Sequence, residues 1–181
     1  MTPSDIGLEL GRDELAGEIV ARCRLEGSFV LRSGQTATHY FDKYRFEADP
    51  RLLAAVARHL EPVVPADTEV LAGLELGGVP IAVALSARTG LPVCFVRKKA
   101  KEYGTARLAE GADIEGRRLL VVEDVVTTGG QVALSTQDLR DRGATVTTAL
   151  CVIDRRDGSP TPLDDAHLDL RSLFTSADLG G

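Results

Sequence analysis

Three cysteines in 181 residues, no long apolar run and no surplus of positive charge narrow the field before any motif is considered. Cys23, Cys94 and Cys151 are odd in number, far apart and set in apolar or helical surroundings. That pattern argues for buried free thiols rather than a disulfide framework or a metal site. The longest apolar runs fall far short of a membrane span, and an N-terminus carrying Asp5, Glu9 and Asp13 without an apolar core does not read as a signal peptide. The expectation is a cytoplasmic protein with no membrane partner. A net charge of -6 argues against a broad basic surface for nucleic acid. No G-x-G-x-x-G follows the first strand, which weakens a nicotinamide-binding reading. Repeats, linkers and low-complexity stretches are not evident, so residues 1–181 read as one domain. What is present, 44% apolar and 27% charged residues, is the composition of a globular protein.

The most informative stretch is Leu119-Leu120-Val121-Val122-Glu123-Asp124-Val125-Val126-Thr127-Thr128-Gly129-Gly130-Gln131. Four apolar residues predict a buried strand, two acids stand at its carboxyl end, and Val132, Ala133, Thr136 and Leu139 mark a helix face. Backbone N–H groups from Thr127 to Gln131, unpaired where a helix begins, can point at a phosphate, and the helix dipole favours its charge. Gly129 and Gly130 allow close approach, and Thr127 and Thr128 add hydroxyl donors. Glu123 and Asp124 would repel bare phosphate, so their expected partners are hydroxyls or a cation beside it. A sugar phosphate meets both requirements.

A second strand, Glu69 to Leu74, runs into Glu75-Leu76-Gly77-Gly78-Val79-Pro80 and a helix through Ile81, Ala82 and Leu85. This second set of free amides, centred on Gly77 and Gly78, suggests a polyphosphate ligand. The strand Leu91 to Val96 leads into Arg97-Lys98-Lys99-Ala100-Lys101-Glu102-Tyr103-Gly104-Thr105-Ala106-Arg107. A charge run is ordinarily a solvated loop, but this one leaves the strand edge where open α/β sheets bind ligands. Such cations can neutralise a departing diphosphate.

Near the start, Arg12 to Glu26 has the spacing of a helix with Gly27 as its stop. Ser28 to Lys43 reads as a hairpin around Ser33-Gly34, carrying Arg32 and the Tyr40-Phe41 pair. A planar base can pack on the two rings while a guanidinium meets an anionic group. Asp49-Pro50 predicts the N-cap and first position of another helix. Thr145 to Ile153 predicts a β-branched strand ending in Asp154-Arg155-Arg156. Strands alternating with helices predict an α/β fold, a mostly parallel sheet flanked by helices.

The acid-acid-x-x-Thr-Thr-Gly-Gly pattern resembles the ribose-5-phosphate loop of the type I phosphoribosyltransferases. The Phe-x-Leu-Arg-Ser-Gly and Tyr-Phe-Asp segments resemble the N-terminal hood of the orotate phosphoribosyltransferase family. The resemblance spans about residues 12 to 180. It implies that Glu123 and Asp124 meet the ribose hydroxyls while Val125 to Gln131 hold the 5-phosphate, and that Gly77 and Gly78 lie in the diphosphate loop. It assigns Arg97, Lys98, Lys101 and Tyr103 to a catalytic loop, with Tyr103 where many relatives have His. A phenol donates a hydrogen bond but delivers no positive charge at neutral pH. It places Arg32, Tyr40, Phe41 and Arg155 around orotate. It further implies a hood formed by about residues 12–45 with the C-terminal segment. Mg2+ would be held mainly through substrate oxygens, without nominated protein ligands, in a homodimer sharing its active sites. The activity implied is transfer of ribose 5-phosphate from 5-phosphoribosyl 1-diphosphate to orotate in pyrimidine synthesis. A purine phosphoribosyltransferase and a non-catalytic regulator sensing the same donor are the alternatives.

Overall fold

The computed structural model describes residues 10–30, 34–98 and 108–180. Six strands, β3 (Val70–Leu74), β4 (Val93–Val96), β5 (Ala109–Gly111), β6 (Arg118–Val126), β7 (Thr145–Asp154) and β8 (Asp169–Thr175), form one sheet in the order β5-β4-β3-β6-β7-β8. All neighbours are parallel except β4 and β5. The α/β expectation holds. Every residue of β3 is buried, and β6 and β7 are nearly so, as a sheet covered on both faces requires.

One face is covered by α1 (Arg12–Cys23), α3 (Pro50–Leu60) and α4 (Gly78–Thr89), through Leu15, Ile19, Leu52, Val56, Leu60, Ile81 and Leu85. The other is covered by α5 (Gly130–Arg140) and the short α6 (Pro162–Asp165), through Val132, Leu139 and Leu163. Asp49 caps α3 as expected: its Oδ1 accepts from the Arg51 and Leu52 amides at 2.9 and 3.1 Å, and Pro50 takes the first position.

The N-terminal segment requires a correction. The helix predicted to run to Glu26 ends at Cys23, and Arg24–Val30 forms β1, antiparallel to β2 (Thr36–Phe41). Tertiary pairing overrides the helical pattern there: Cys23 is fully buried, and its carbonyl accepts the Asp42 amide at 2.8 Å, which pins the helix end to the base of the hairpin. Gly27 lies in a bulge between Glu26 and Phe29 rather than at a helix stop. The three cysteines are free and buried, as the sequence predicts. Burial pushes the Cys23 thiol up to about 11 and the Cys94 thiol to about 12. No helix among the described residues is long and apolar enough to cross a membrane.

Candidate active site

The carboxyl ends of β3, β6 and β7 converge. Strand β6 ends at Val126, and Gly129, with φ +75°, turns the chain into α5. A side chain here would also strike Leu163, whose Cγ lies 2.5 Å from the position of a Cβ, so glycine is required twice over. Thr127 and Thr128 are exposed beside this turn, and the first N–H groups of α5 have no acceptor within the helix. The turn from Thr127 through Gly130 to Gln131, where the sequence predicts an anion cradle, thus opens on the helix N-terminus, with Gly130 N–H making only a long 3.5 Å contact to Thr128 Oγ1. The Gln131 side chain is turned along the helix, donating to Ser135 Oγ at 3.1 Å. Val125 and Val126 serve the scaffold: Val125 N–H donates to Asp124 Oδ1 at 2.5 Å, and the Val126 carbonyl accepts Arg155 N–H at 2.8 Å.

The two acids of the motif face different surroundings. Glu123 is half-buried, whereas Asp124 is fully enclosed, its Oδ2 receiving the Lys43 ammonium at 2.5 Å. Burial works against the Asp124 charge, but hydrogen bonds from Lys43 and the neighbouring carboxyls overcome it and hold its pKa below the ordinary value. Burial, together with the Asp124 charge, pushes Glu123 the other way, up to about 8. Lys43 lies on the segment leading to α2 (Tyr44–Glu47), and the Glu47 carboxyl is buried in the same cluster.

The loop after β3 passes directly over β6. A Cβ on Gly77 would overlap the Asp124 carboxylate, and one on Gly78 would overlap the Val122 carbonyl. Glycine at both positions is the condition for this approach, which brings the two anion loops side by side. Glu75 adds a link that sequence reasoning missed: its Oε1 accepts the Lys98 amide at 2.6 Å and so joins the β3 loop to the basic segment. Lys98 is exposed, and the buried Arg97 Nε has no hydrogen-bonding partner among the described residues. Lys101 and Tyr103 lie outside the described residues, as does Arg32.

Tyr40, Phe41 and Arg155 meet in one cleft of about 550 Å³, closed by Val20 of α1, Arg24 of β1, Ile153 of β7 and Leu179 near the C-terminus. Phe29 supports the wall, its ring centroid 5.5 Å from that of Tyr40. The adjacent Arg156 is committed to Asp154 by a bidentate pair, Nε to Oδ1 at 3.0 Å and Nη2 to Oδ2 at 2.8 Å. Arg155, like Arg24 across the same cleft, is exposed and makes no ion pair among the described residues, so its guanidinium is open to a ligand anion. Its backbone bond to Val126 puts this cleft beside the phosphate cradle.

A family model described as the phosphoribosyl transferase domain matches residues 45–169. An orotate phosphoribosyltransferase from Nocardioides sp. is 56% identical over 165 residues, covering 91% of this chain and 92% of that one. The chain belongs to the orotate phosphoribosyltransferase family. The fold is similar to that of a Mycobacterium tuberculosis orotate phosphoribosyltransferase solved with inorganic phosphate: TM-score 0.83, 32% identity, covering 94% of this chain and 98% of that one. A second structure of the M. tuberculosis enzyme, in complex with 5-phospho-alpha-D-ribosyl 1-diphosphate, gives a TM-score of 0.78 at 30% identity, covering 94% and 99%. Of the features that mark an orotate phosphoribosyltransferase in the sequence, Tyr40 and Phe41 precede the residues matched by the family model, whereas Arg155 and both anion loops fall within them.

Lys43 and Glu47 are the residues that sequence reasoning missed. Lys43 closes the hairpin segment and was legible as a charge two positions after the aromatic pair. Glu47 carried no signal, since an acid beside Phe46 in a four-residue helix has no periodicity to betray its burial.

Proposed function

We propose that this chain transfers ribose 5-phosphate from 5-phosphoribosyl 1-diphosphate to orotate, giving orotidine 5'-phosphate and diphosphate in pyrimidine nucleotide synthesis. The observation that carries the acceptor is the cleft in which Tyr40, Phe41 and the free Arg155 adjoin the β6–α5 cradle. A flat ring with one carboxylate suits two aromatic side chains and one guanidinium.

Orotate is itself the nucleophile, so the protein's task is to align the reactants and neutralise charge. The amides of Thr127 to Gln131 hold the 5-phosphate. Glu123 faces the ribose hydroxyls and Asp124 supports that edge from beneath. The Gly77-Gly78 loop seats the diphosphate, and Arg97, Lys98 and Lys101 offset its charge as the C1' bond breaks. Tyr103 contributes a hydrogen bond rather than a charge. Arg32 and Arg155 meet the anionic groups at the acceptor end.

The half-buried Glu123 side chain, which burial and the Asp124 charge keep protonated near neutrality, fits Mg2+ that would be carried in on substrate oxygens rather than held by a protein carboxylate. Bound in that way, Mg2+ supplies Lewis-acid charge stabilisation to the leaving group. The working unit is a homodimer in the cytoplasm, with residues 1–181 as one domain. Exposed Leu76, Val83 and Phe95 on the β3–α4–β4 unit supply apolar surface for pairing.

Diphosphate release from the purified protein with the donor, Mg2+ and, in turn, orotate, uracil, hypoxanthine and adenine tests the assignment. Turnover is expected with orotate alone. Turnover of a purine without orotate would replace the acceptor, and donor binding without any turnover would favour a regulator.

A further inference from the structure

The ion pair between Lys43 and Asp124 joins two parts of the site that are distant in sequence. Lys43 stands two residues after Phe41 in the wall of the base cleft, and Asp124 is the enclosed acid of the sugar-phosphate strand. Glu47, one helical turn beyond Lys43, is 7% exposed, and its Oε1 has no hydrogen-bonding partner among the described residues. Three acids, Glu47, Glu123 and Asp124, thus lie around one half-buried cation. Burial first, then the neighbouring Asp124, pushes the Glu47 carboxyl up to about 9, so near neutrality it carries its proton beside the Asp124 carboxylate. The Lys43 ammonium is disfavoured by burial, but its contact with Asp124 raises its pKa above the ordinary value. With Glu47 and Glu123 neutral, one cation meets one anion, and the cluster is balanced.

Resting on the transferase reading of this site, we propose that Lys43 and Glu47 are positioning residues that clamp the Asp124 carboxylate and thereby hold the aromatic base wall in register with the sugar-phosphate strand. Three observations converge on Asp124. Its Oδ1 is taken by the Val125 amide and its Oδ2 by Lys43, and the Gly77 position leaves no room for any side chain above it. Asp124 therefore has one available pose. The segment from Asp42 to Glu47 that fixes this pose also carries the end of the base wall. Alignment of the acceptor nitrogen with C1' depends on the two moving as one body, and small misplacements cost rate more than affinity.

The groups facing Glu47 are Asp124 and Glu123 from β6, Lys43 from its own segment and Cys23 from α1. Once Glu123 and then Glu47 have ionised, Lys43 is left to offset three neighbouring anions, and the Asp124 clamp loosens.

Steady-state rates with orotate and the donor, measured from about pH 6 to about pH 10, compare the wild-type chain with Glu47→Gln, Lys43→Arg and Lys43→Met. The wild type is expected to lose kcat as Glu47 titrates, and Glu47→Gln, which keeps a donor but cannot ionise, loses that alkaline limb. Folded Lys43→Met is expected to lower kcat by roughly tenfold or more with a smaller change in the donor KM, and Lys43→Arg to recover most of it. Superimposable pH profiles for wild type and Glu47→Gln would overturn the proposal. So would a folded Lys43→Met with wild-type kcat; if that variant fails to fold, the Glu47→Gln profile decides alone. Calorimetric donor binding, which needs no acceptor, separates the two readings. Absence of orotate turnover with donor binding retained removes the acceptor assignment, while orotate turnover whose kcat–pH profile Glu47→Gln leaves unchanged removes the clamp.

Discussion

Replacing Gly78 with alanine would drive a methyl group into the Val122 carbonyl, a backbone atom in the middle of a paired strand that has no way to yield. Overpacking of this kind costs about 1–3 kcal/mol, and urea unfolding of Gly78→Ala should show an unfolding free energy lower by that amount, with the midpoint shifted down accordingly. The loop after β3 must lift off the sheet to accept the methyl, and with its proposed role at the diphosphate, donor affinity should fall as well. Arg155→Ala has the opposite profile. Its side chain is exposed and supports nothing in the fold, so the thermal midpoint should hold while kcat/KM for orotate falls. Loss of a charge-assisted contact worth about 1.5–3 kcal/mol implies roughly a 10- to 100-fold drop, with the donor KM little changed. A wild-type kcat/KM for orotate in Arg155→Ala would move the carboxylate contact elsewhere. The neighbouring Arg156 shows why the two adjacent arginines differ: spacing alone does not say which is consumed by Asp154, and only the bidentate geometry does.

At the scale of elements, α3 depends on a single cap. Asp49 satisfies two orphan amides and also receives Arg22 Nη1 at 2.7 Å. Asp49→Ala should destabilise the protein by about 1–2 kcal/mol, mostly through the lost cap, since the ion pair is partly solvated. A chemical denaturation curve with an unshifted midpoint would mean that the amides find water instead. This cap was legible because Asp-Pro has local meaning. The parallel strands were legible for a similar reason: buried on both faces, they read as continuous apolar runs. What escaped was set by partners distant in sequence. Strand β5 is three residues, Ala109-Glu110-Gly111, defined only by pairing with β4. The end of α1 at Cys23 is imposed by the hairpin, and the inward turn of Asp124 by a lysine about eighty positions away. The sequence singles out the Glu123-Asp124 pair at the end of β6, and the structure places both residues there. The division of labour between its members had no expression in the sequence, because both are acids on one strand and only packing distinguishes them.

Across the whole molecule, the buried acid cluster links stability to pH. Glu47 and Glu123 are raised in the folded state to about 9 and about 8, well above the ordinary carboxyl range near 4.3 that the unfolded chain restores. Between these limits the folded protein holds protons that the unfolded chain has lost, so stability falls as pH rises. Asp124 has the opposite sign, but its transition lies below the ordinary aspartate value and does not enter this window. The thermal midpoint should therefore decline from about pH 5 toward about pH 9, and Glu47→Gln should flatten the slope. A midpoint that rises across this range would mean that these carboxyls are ionised in the folded state.

The two anion loops leave neighbouring strands, β3 and β6, joined by a parallel ladder from Val70–Leu119 to Gly73–Val122. Adjacent strands stand about 4.8 Å apart, so the spacing between the phosphate seats is a ruler cut into the backbone, which side-chain substitutions cannot recalibrate. The acceptor wall, by contrast, draws Tyr40 and Phe41 from a two-stranded hairpin that shares no ladder with the main sheet among the described residues, and Ile153 and Arg155 from around the carboxyl end of β7. An engineer seeking a new base can therefore recut the hairpin's aromatic face while keeping the Lys43 anchor and Arg155, whereas a new sugar donor would require re-registering the sheet itself.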